Sequence, residues 1–229
     1  MKKTFILSFL LMSFSVPAWA GSITGKVSFT GAAPEIKKID TGADPSCAAH
    51  EPGGLKAEEV LVNSDGTLKN VFVYVKEGLE GKTFEPSKDK VVLDQKGCRY
   101  APRVFGLQTG QLLEILNSDA TLHNVHGMPK ASREFNLGMP MQGMKLTRKF
   151  EKPEVMVKFK CDVHPWMSAY AGVLPHPFFA VTGDTGTFEI SNLPPGDYVL
   201  EAWHEKFGTQ TRKITVTDTG HSADFSFAG

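Results

Sequence analysis

From Ser22 to Phe29 apolar and polar residues alternate (Ile23, Gly25, Val27 and Phe29 against Thr24, Lys26 and Ser28), and the run stops at Gly31. A period of two with a glycine stop predicts a half-buried strand. A loop-like stretch rich in Gly, Pro and Asp covers residues 40–54. Two further strands are expected at Glu59–Asn63 and Val71–Val75, around a Ser64-Asp65-Gly66 turn. Polar residues 77–90 read as a linker. Short apolar runs then follow at 91–93, 103–105, 112–116, 146–150, 155–159 and 171–174, separated by Lys96-Gly97, Thr109-Gly110 and Asn117-Ser118-Asp119 turns. The tail repeats the theme: strands at 186–190, 198–200 and 214–216, with a Pro194-Pro195-Gly196 turn. Many short strands at close spacing, and no amphipathic helix of several turns, predict an all-β protein built of sandwiches.

The first twenty residues follow a different rule. Lys2 and Lys3 precede an apolar run from Phe5 to Val16, and Ala18-Trp19-Ala20 supplies small residues at a cleavage spacing. That is the pattern of a secretory signal peptide, with the apolar run short of the ~20 residues a membrane span needs. The expectation is export to the periplasm or beyond, with no span after cleavage. The whole chain carries 25 basic and 25 acidic residues; removal of Lys2 and Lys3 leaves 23 against 25, a net charge of −2. Nucleic-acid binding needs a clustered basic surface, so no nucleic-acid partner is expected. Three cysteines, Cys47, Cys98 and Cys161, remain in a compartment that oxidises thiols. An odd count asks for one disulfide and one sulfur with other work.

That work is read from Cys161-Asp162-Val163-His164-Pro165-Trp166-Met167, directly after a strand, and from His123-Asn124-Val125-His126 upstream. A thiolate and two imidazoles with a weak thioether suit both Cu(I) and Cu(II), and so a one-electron site. Cys161, His164 and Met167 supply three donors from one loop, and His123 is the expected fourth. His126 is the competitor, but three residues along a strand turns it to the other face. Structural zinc uses several Cys or His donors and no Met, which disfavours zinc.

Residues 91–174 resemble a cupredoxin of the amicyanin and plastocyanin kind. The resemblance is carried by Tyr100-Ala101-Pro102, Gln108-Thr109-Gly110-Gln111, the His-Asn-Val-His run and the Cys-x2-His-Pro-x-Met loop. It implies a Greek-key β-sandwich with one type 1 copper ion. His123, Cys161 and His164 would be its equatorial ligands, Met167 the axial one, and Asn124 would pin the two ligand segments together. It also implies redox partner proteins and an electron exit at the His164 edge. The 34 residues between His126 and Cys161 depart from the pattern, carrying Met128, Met139, Met141 and Met144 in what reads as a long loop. These pack the loop and rim or offer soft donors to Cu(I).

Cys47 and Cys98 are the disulfide candidates, with Cys47-Ala48-Ala49-His50 as a competing metal motif. Residues 186–198, with Ile23–Val27, are similar to carboxypeptidase regulatory-like domains, which are generally non-catalytic. The expected organisation is therefore a signal peptide (1–20), a cupredoxin (88–176), and one small sandwich split between 21–87 and 177–229. The expected function is periplasmic electron transfer, with copper chaperoning or storage as the alternative. Copper enzymes need further His-x-His pairs, and the chain has none, so no enzymatic activity is expected.

Overall fold

The alternation at the start of the chain becomes the longest strand, β1 (Gly21–Thr30), with Ile23, Val27 and Phe29 buried on one face. A computed structural model describes residues 21–42, 44–51 and 53–229; the signal-peptide reading of residues 1–20 lies outside the described residues. After β1 come a six-residue helix α1 (Pro45–His50) and β2 (Phe72–Glu77). Nine strands follow: β3 (Val91–Gln95), β4 (Tyr100–Ala101), β5 (Val104–Gln108), β6 (Leu113–Asn117), β7 (His123–Met128), β8 (Phe135–Met139), β9 (Lys145–Arg148), β10 (Glu154–Lys160) and β11 (Ser168–Leu174). The tail adds β12 (Phe179–Val181), β13 (Thr187–Leu193), β14 (Gly196–His204), β15 (Gly208–Val216), β16 (His221–Ser222) and β17 (Phe225–Ala228). The fold is all-β.

Four open sheets make two sandwiches. In the central one, sheet β5-β11-β10-β7-β8 faces sheet β4-β3-β6-β9. Between them lies a core that includes Leu93, Phe105, Ile115, Val125, Phe150 and Phe159. The pairs β3–β6 and β5–β11 run parallel, which requires crossing connections of the Greek-key kind, while the remaining pairs of these sheets are antiparallel. In the other sandwich, β1 pairs with β13 antiparallel (Ile23 opposite Ile190) and with β17 parallel (Val27 opposite Phe225). Its second sheet runs β12-β2-β14-β15. Residues from both ends of the chain thus share one core of Val27, Val73, Phe188, Leu200 and Phe227.

The sandwiches meet across Phe72, Tyr74, Val104 and Leu174, with Phe179 and Trp203 packed alongside. Glycine permits the approach: a Cβ on Gly172 would sit 2.2 Å from the Phe72 ring, and one on Gly106 2.3 Å from Phe179. Tyr170 of the central sandwich packs on Trp203, ring centroids 5.1 Å apart. Arg103 reaches across to Glu205 with two bonds, Nε to Oε1 at 2.6 Å and Nη2 to Oε2 at 2.9 Å. Trp203 therefore serves packing between sandwiches.

Three expectations need correcting. Residues 59–63 form no strand; only an isolated bridge joins Val62 to Leu68. The methionine stretch is not one long loop, because Phe135–Met139 forms β8 and extends the sheet beside β7. Its methionines are dispersed: Met139 is fully buried, Met144 packs against the core, and Met128 and Met141 are exposed. Segment 40–54 contains α1. Asp44 caps it by accepting from the Ser46 and Cys47 amides, with Pro45 in the first turn.

His204 predicts a pH dependence of stability. Its ring is buried, stacked on Phe207, and its Nδ1 accepts from the Lys206 amide. Burial, followed by the charge of Arg103, lowers its pKa from 6.5 to about 4. The unfolded ring takes up a proton near 6.5 and the folded ring only near 4, so this contribution is complete above 6.5 and is lost as pH falls toward 4. The loss is about 3 kcal/mol. Urea titrations at a series of pH values are expected to show it, and His204→Gln to remove it; parallel curves for the two proteins would refute the assignment.

Candidate metal centre

Strand β10 ends at Lys160 and β11 begins opposite it at Ser168, so residues 161–167 must form a tight connection. That loop closes on itself. Cys161 N–H donates to the Met167 carbonyl (3.2 Å), Met167 N–H to the His164 carbonyl (2.9 Å), and His164 N–H to Cys161 Sγ (3.3 Å). Strand β7 lies beside β10 and starts at His123, which brings the two segments together.

The Asn124 side chain ties them. Its Oδ1 accepts from the Asp162 amide (2.7 Å) and the Val163 amide (3.3 Å) and lies 3.3 Å from Cys161 Sγ. Its Nδ2 donates to Asn136 Oδ1 at 2.6 Å. The Tyr100 hydroxyl donates to the Asn124 carbonyl and anchors the same residue from β4.

Ligand atoms of His123, Cys161 and His164 all lie within 4.8 Å of one another, and all three residues are buried. His123 Nδ1 is 2.9 Å from His164 Nδ1, which in turn is 3.8 Å from Cys161 Sγ. Both outer nitrogens are taken by carboxylates: His123 Nε2 by Asp119 Oδ2 and His164 Nε2 by Asp44 Oδ2, each at 2.9 Å. An imidazole whose far nitrogen donates to a carboxylate presents its near nitrogen as a ligand. One sulfur and two such nitrogens around one point fit the donor set of a mononuclear copper site. Met167 is buried in the same core cluster as Cys161. His126 does not join them; it bonds Asp162 (3.1 Å) and Glu134 (2.6 Å) on the outer side.

The electrostatics pair the sulfur with the imidazole beside it. Burial pushes the Cys161 thiol up, but the His123 imidazole and the amides around the loop outweigh it and hold the thiol below its ordinary value. Burial likewise depresses His123, yet Asp119 and the Cys161 sulfur raise it from 6.5 to about 9. Burial of the Asp44 carboxyl is outweighed by the bonds it accepts from His164, Thr121 and the Ser46 and Cys47 amides, which set it at about 2. Both shifts favour the charged forms, a thiolate at Cys161 beside an imidazolium at His123, and a metal ion would displace the His123 proton.

The His164 edge is not the exposed exit expected of it. The residue is 2% exposed, because the α1 segment covers it with Asp44 and with Cys47, whose sulfur lies 3.6 Å from His164 Nε2. Cys47 is bonded to Cys98, which fixes that cover to the central sandwich. The Trp166 indole N–H donates to the Cys98 carbonyl at 3.0 Å and closes the seam. Asp44 and Asp119 are the residues at this cluster that sequence reasoning missed. Asp44-Pro45-Ser46 is a readable helix start, but its partner His164 is 120 residues away.

The fold and the donor cluster together define an all-β protein with a buried thiol–imidazole pocket of the kind that holds one soft metal ion. No family profile and no curated protein sequence matches the chain. Among solved structures it is similar to a Cu-containing nitrite reductase (NirK) from Thermus scotoductus SA-01, at 21% identity and TM-score 0.36, over 44% of this chain and 25% of that one. A point mutant of amicyanin in the Cu(I) state gives 22% identity and TM-score 0.33 over 39% and 86%. A purple cupredoxin from Nitrosopumilus maritimus gives 19% and 0.31 over 37% and 97%. The chain therefore spans a quarter of the nitrite reductase it matches.

Proposed function

We propose that this protein is a periplasmic carrier of single electrons, with one copper ion held by His123, Cys161 and His164 and with Met167 as the weak fourth donor. The observation that carries the reading is the convergence of the two imidazole Nδ1 atoms and the Cys161 sulfur, with each outer nitrogen held by a carboxylate. Bound there, copper would supply the Cu(II)/Cu(I) couple. The chain's own part is to hold the donors still, so that little reorganises when an electron moves. Asn124 fixes the loop, and the core around Phe159 and Val125 excludes water.

With the His164 edge covered, a redox partner approaches over Leu122 and Val163, exposed residues adjacent in sequence to the ligands. The terminal sandwich, 21–87 with 177–229, is a carboxypeptidase regulatory-like scaffold around the cupredoxin, 88–176. Passing copper on requires donors within reach of a second protein. Donors this deeply buried favour the carrier over a chaperone or store.

The test is copper loading of the wild type and of Cys161→Ser, with visible and EPR spectra. The wild type is expected to show a strong thiolate-to-Cu(II) band and reversible one-electron cycling, and the variant to lose the band. An unchanged band in Cys161→Ser would place the metal elsewhere. Turnover of a small substrate by the copper-loaded wild type would replace the carrier by an enzyme.

A further inference from the structure

The Cys47–Cys98 bond sits where two groups of metal-binding atoms meet. On one side the ligand atoms of Asp44, Cys47 and His164 lie within 4.8 Å of one another; on the other, those of His50, Cys98 and Asp119 do the same. Each sulfur of the disulfide belongs to one group. Cys47 and His50 stand three residues apart on α1 and so share a face. His50 Nε2 is 3.4 Å from Asp119 Oδ1. The Asp119 carboxylate is fixed by the Gly97 and Cys98 amides, both at 2.8 Å. The His50 side chain is 42% exposed and forms the outer wall of the corner, behind which Cys47, Cys98 and Asp119 are buried. One sulfur (Cys98), an imidazole and a carboxylate oxygen face one point, the second sulfur (Cys47) is one bond away, and the sulfur–sulfur bond is what keeps the thiolates from forming.

We propose that reduction of this disulfide creates a second metal site, for a d10 cation, Zn(II) or Cu(I), held by the converging Cys98, His50 and Asp119 Oδ1, with the freed Cys47 sulfur turning in as the fourth donor. An external dithiol supplies two electrons and two protons and becomes a disulfide itself, while the Cys47–Cys98 bond breaks to give two thiols. The cation then displaces both thiol protons and binds two thiolates. Two thiolates with an imidazole and a carboxylate suit tetrahedral Zn(II), and the two thiolates with the imidazole suit Cu(I). The same Asp119 carboxylate accepts from His123 through its other oxygen. The proposal does not depend on the electron-carrier reading, since none of its four ligands is a donor to the proposed copper ion.

The test uses the Cys161→Ser protein, which lacks the thiolate of the first site, so failure of the copper reading leaves it intact. Disulfide and phosphine-reduced forms, the latter freed of reductant under anaerobic conditions, are titrated with Zn(II) against a chromophoric chelator and with Cu(I) against bicinchoninate. The reduced form is expected to bind one further equivalent of at least one cation, with affinity lowered at least tenfold by His50→Gln. The bound cation is also expected to protect both thiols from iodoacetamide, a readout that survives loosening of α1. Equal uptake by the two forms, insensitivity to His50→Gln, or alkylation that is equally fast with and without the cation overturns the proposal. Which titration saturates distinguishes Zn(II) from Cu(I).

Discussion

Arg103→Ala is expected to cost about 3–5 kcal/mol of stability, the largest effect of any single surface-to-surface contact between the sandwiches. The Arg103 and Glu205 side chains are only 8% and 7% exposed. Removing either partner strands the other charge away from water, where solvation cannot replace the lost bonds. Glu205→Ala should therefore cost about as much. The double change Arg103→Met with Glu205→Leu should recover most of the loss, since a buried ion pair contributes little net stability over a well-packed apolar pair. Arg103 Nη1 also lies 3.5 Å from the carbonyl of Ser168, the first residue after the ligand loop, so the single variants should loosen that loop as well. Urea denaturation of the three proteins checks this. A cost below about 1 kcal/mol for both single variants would show that the pair is solvated and the interface lax.

The second large effect concerns Asp44. Asp44→Asn keeps a good cap for α1 but removes the negative charge that His164 Nε2 meets at 2.9 Å. If His164 ligates copper through Nδ1, this carboxylate raises the basicity of the ring and favours the more highly charged Cu(II). Changing such a partner typically lowers metal affinity by about 10–100-fold. Cu(II) affinity is expected to fall by about that factor and the reduction potential to rise, because Cu(I) depends less on the anion. Thr121→Val, which removes only the hydroxyl donating to Asp44 Oδ2 at 3.0 Å, leaves a more basic carboxylate and should move both quantities the opposite way and by less. Competition with a Cu(II) chelator and a redox titration supply the readings. Unchanged values in Asp44→Asn would mean that the His164–Asp44 contact does not reach the metal.

Legibility in the sequence followed the range of the interaction. Strands β1, β6, β10 and β14 were readable because burial of one face writes a period of two directly into neighbouring residues. The same period runs through β8, where Phe135, Leu137 and Met139 alternate with Asn136 and Gly138, although the methionines around it suggest a loop. The Cys161–His164–Met167 spacing was legible because one tight loop holds all three. The cover on His164 was not, since it depends on how residues 44–50 pack against a loop more than a hundred residues later. Helix α1 is six residues long, too short to leave a periodic trace. Residues 59–63 misled in the opposite way, their alternation packing against a core without a neighbouring strand to pair with.

Strand β1 waits for its neighbours. Apart from a single bridge to Thr67, its partner strands β13, β16 and β17 come from the last 43 residues, 187–229, of the 229-residue chain, whereas β3 to β11 find theirs within 91–174. The middle of the molecule can therefore finish folding while the first strand still lacks a sheet. Once 91–174 has condensed, the loop between the outer halves is shortened to the span of one folded body, which lowers the entropy cost of closing it. This topology favours assembly from the centre outward, with Gly21–Thr30 seated last.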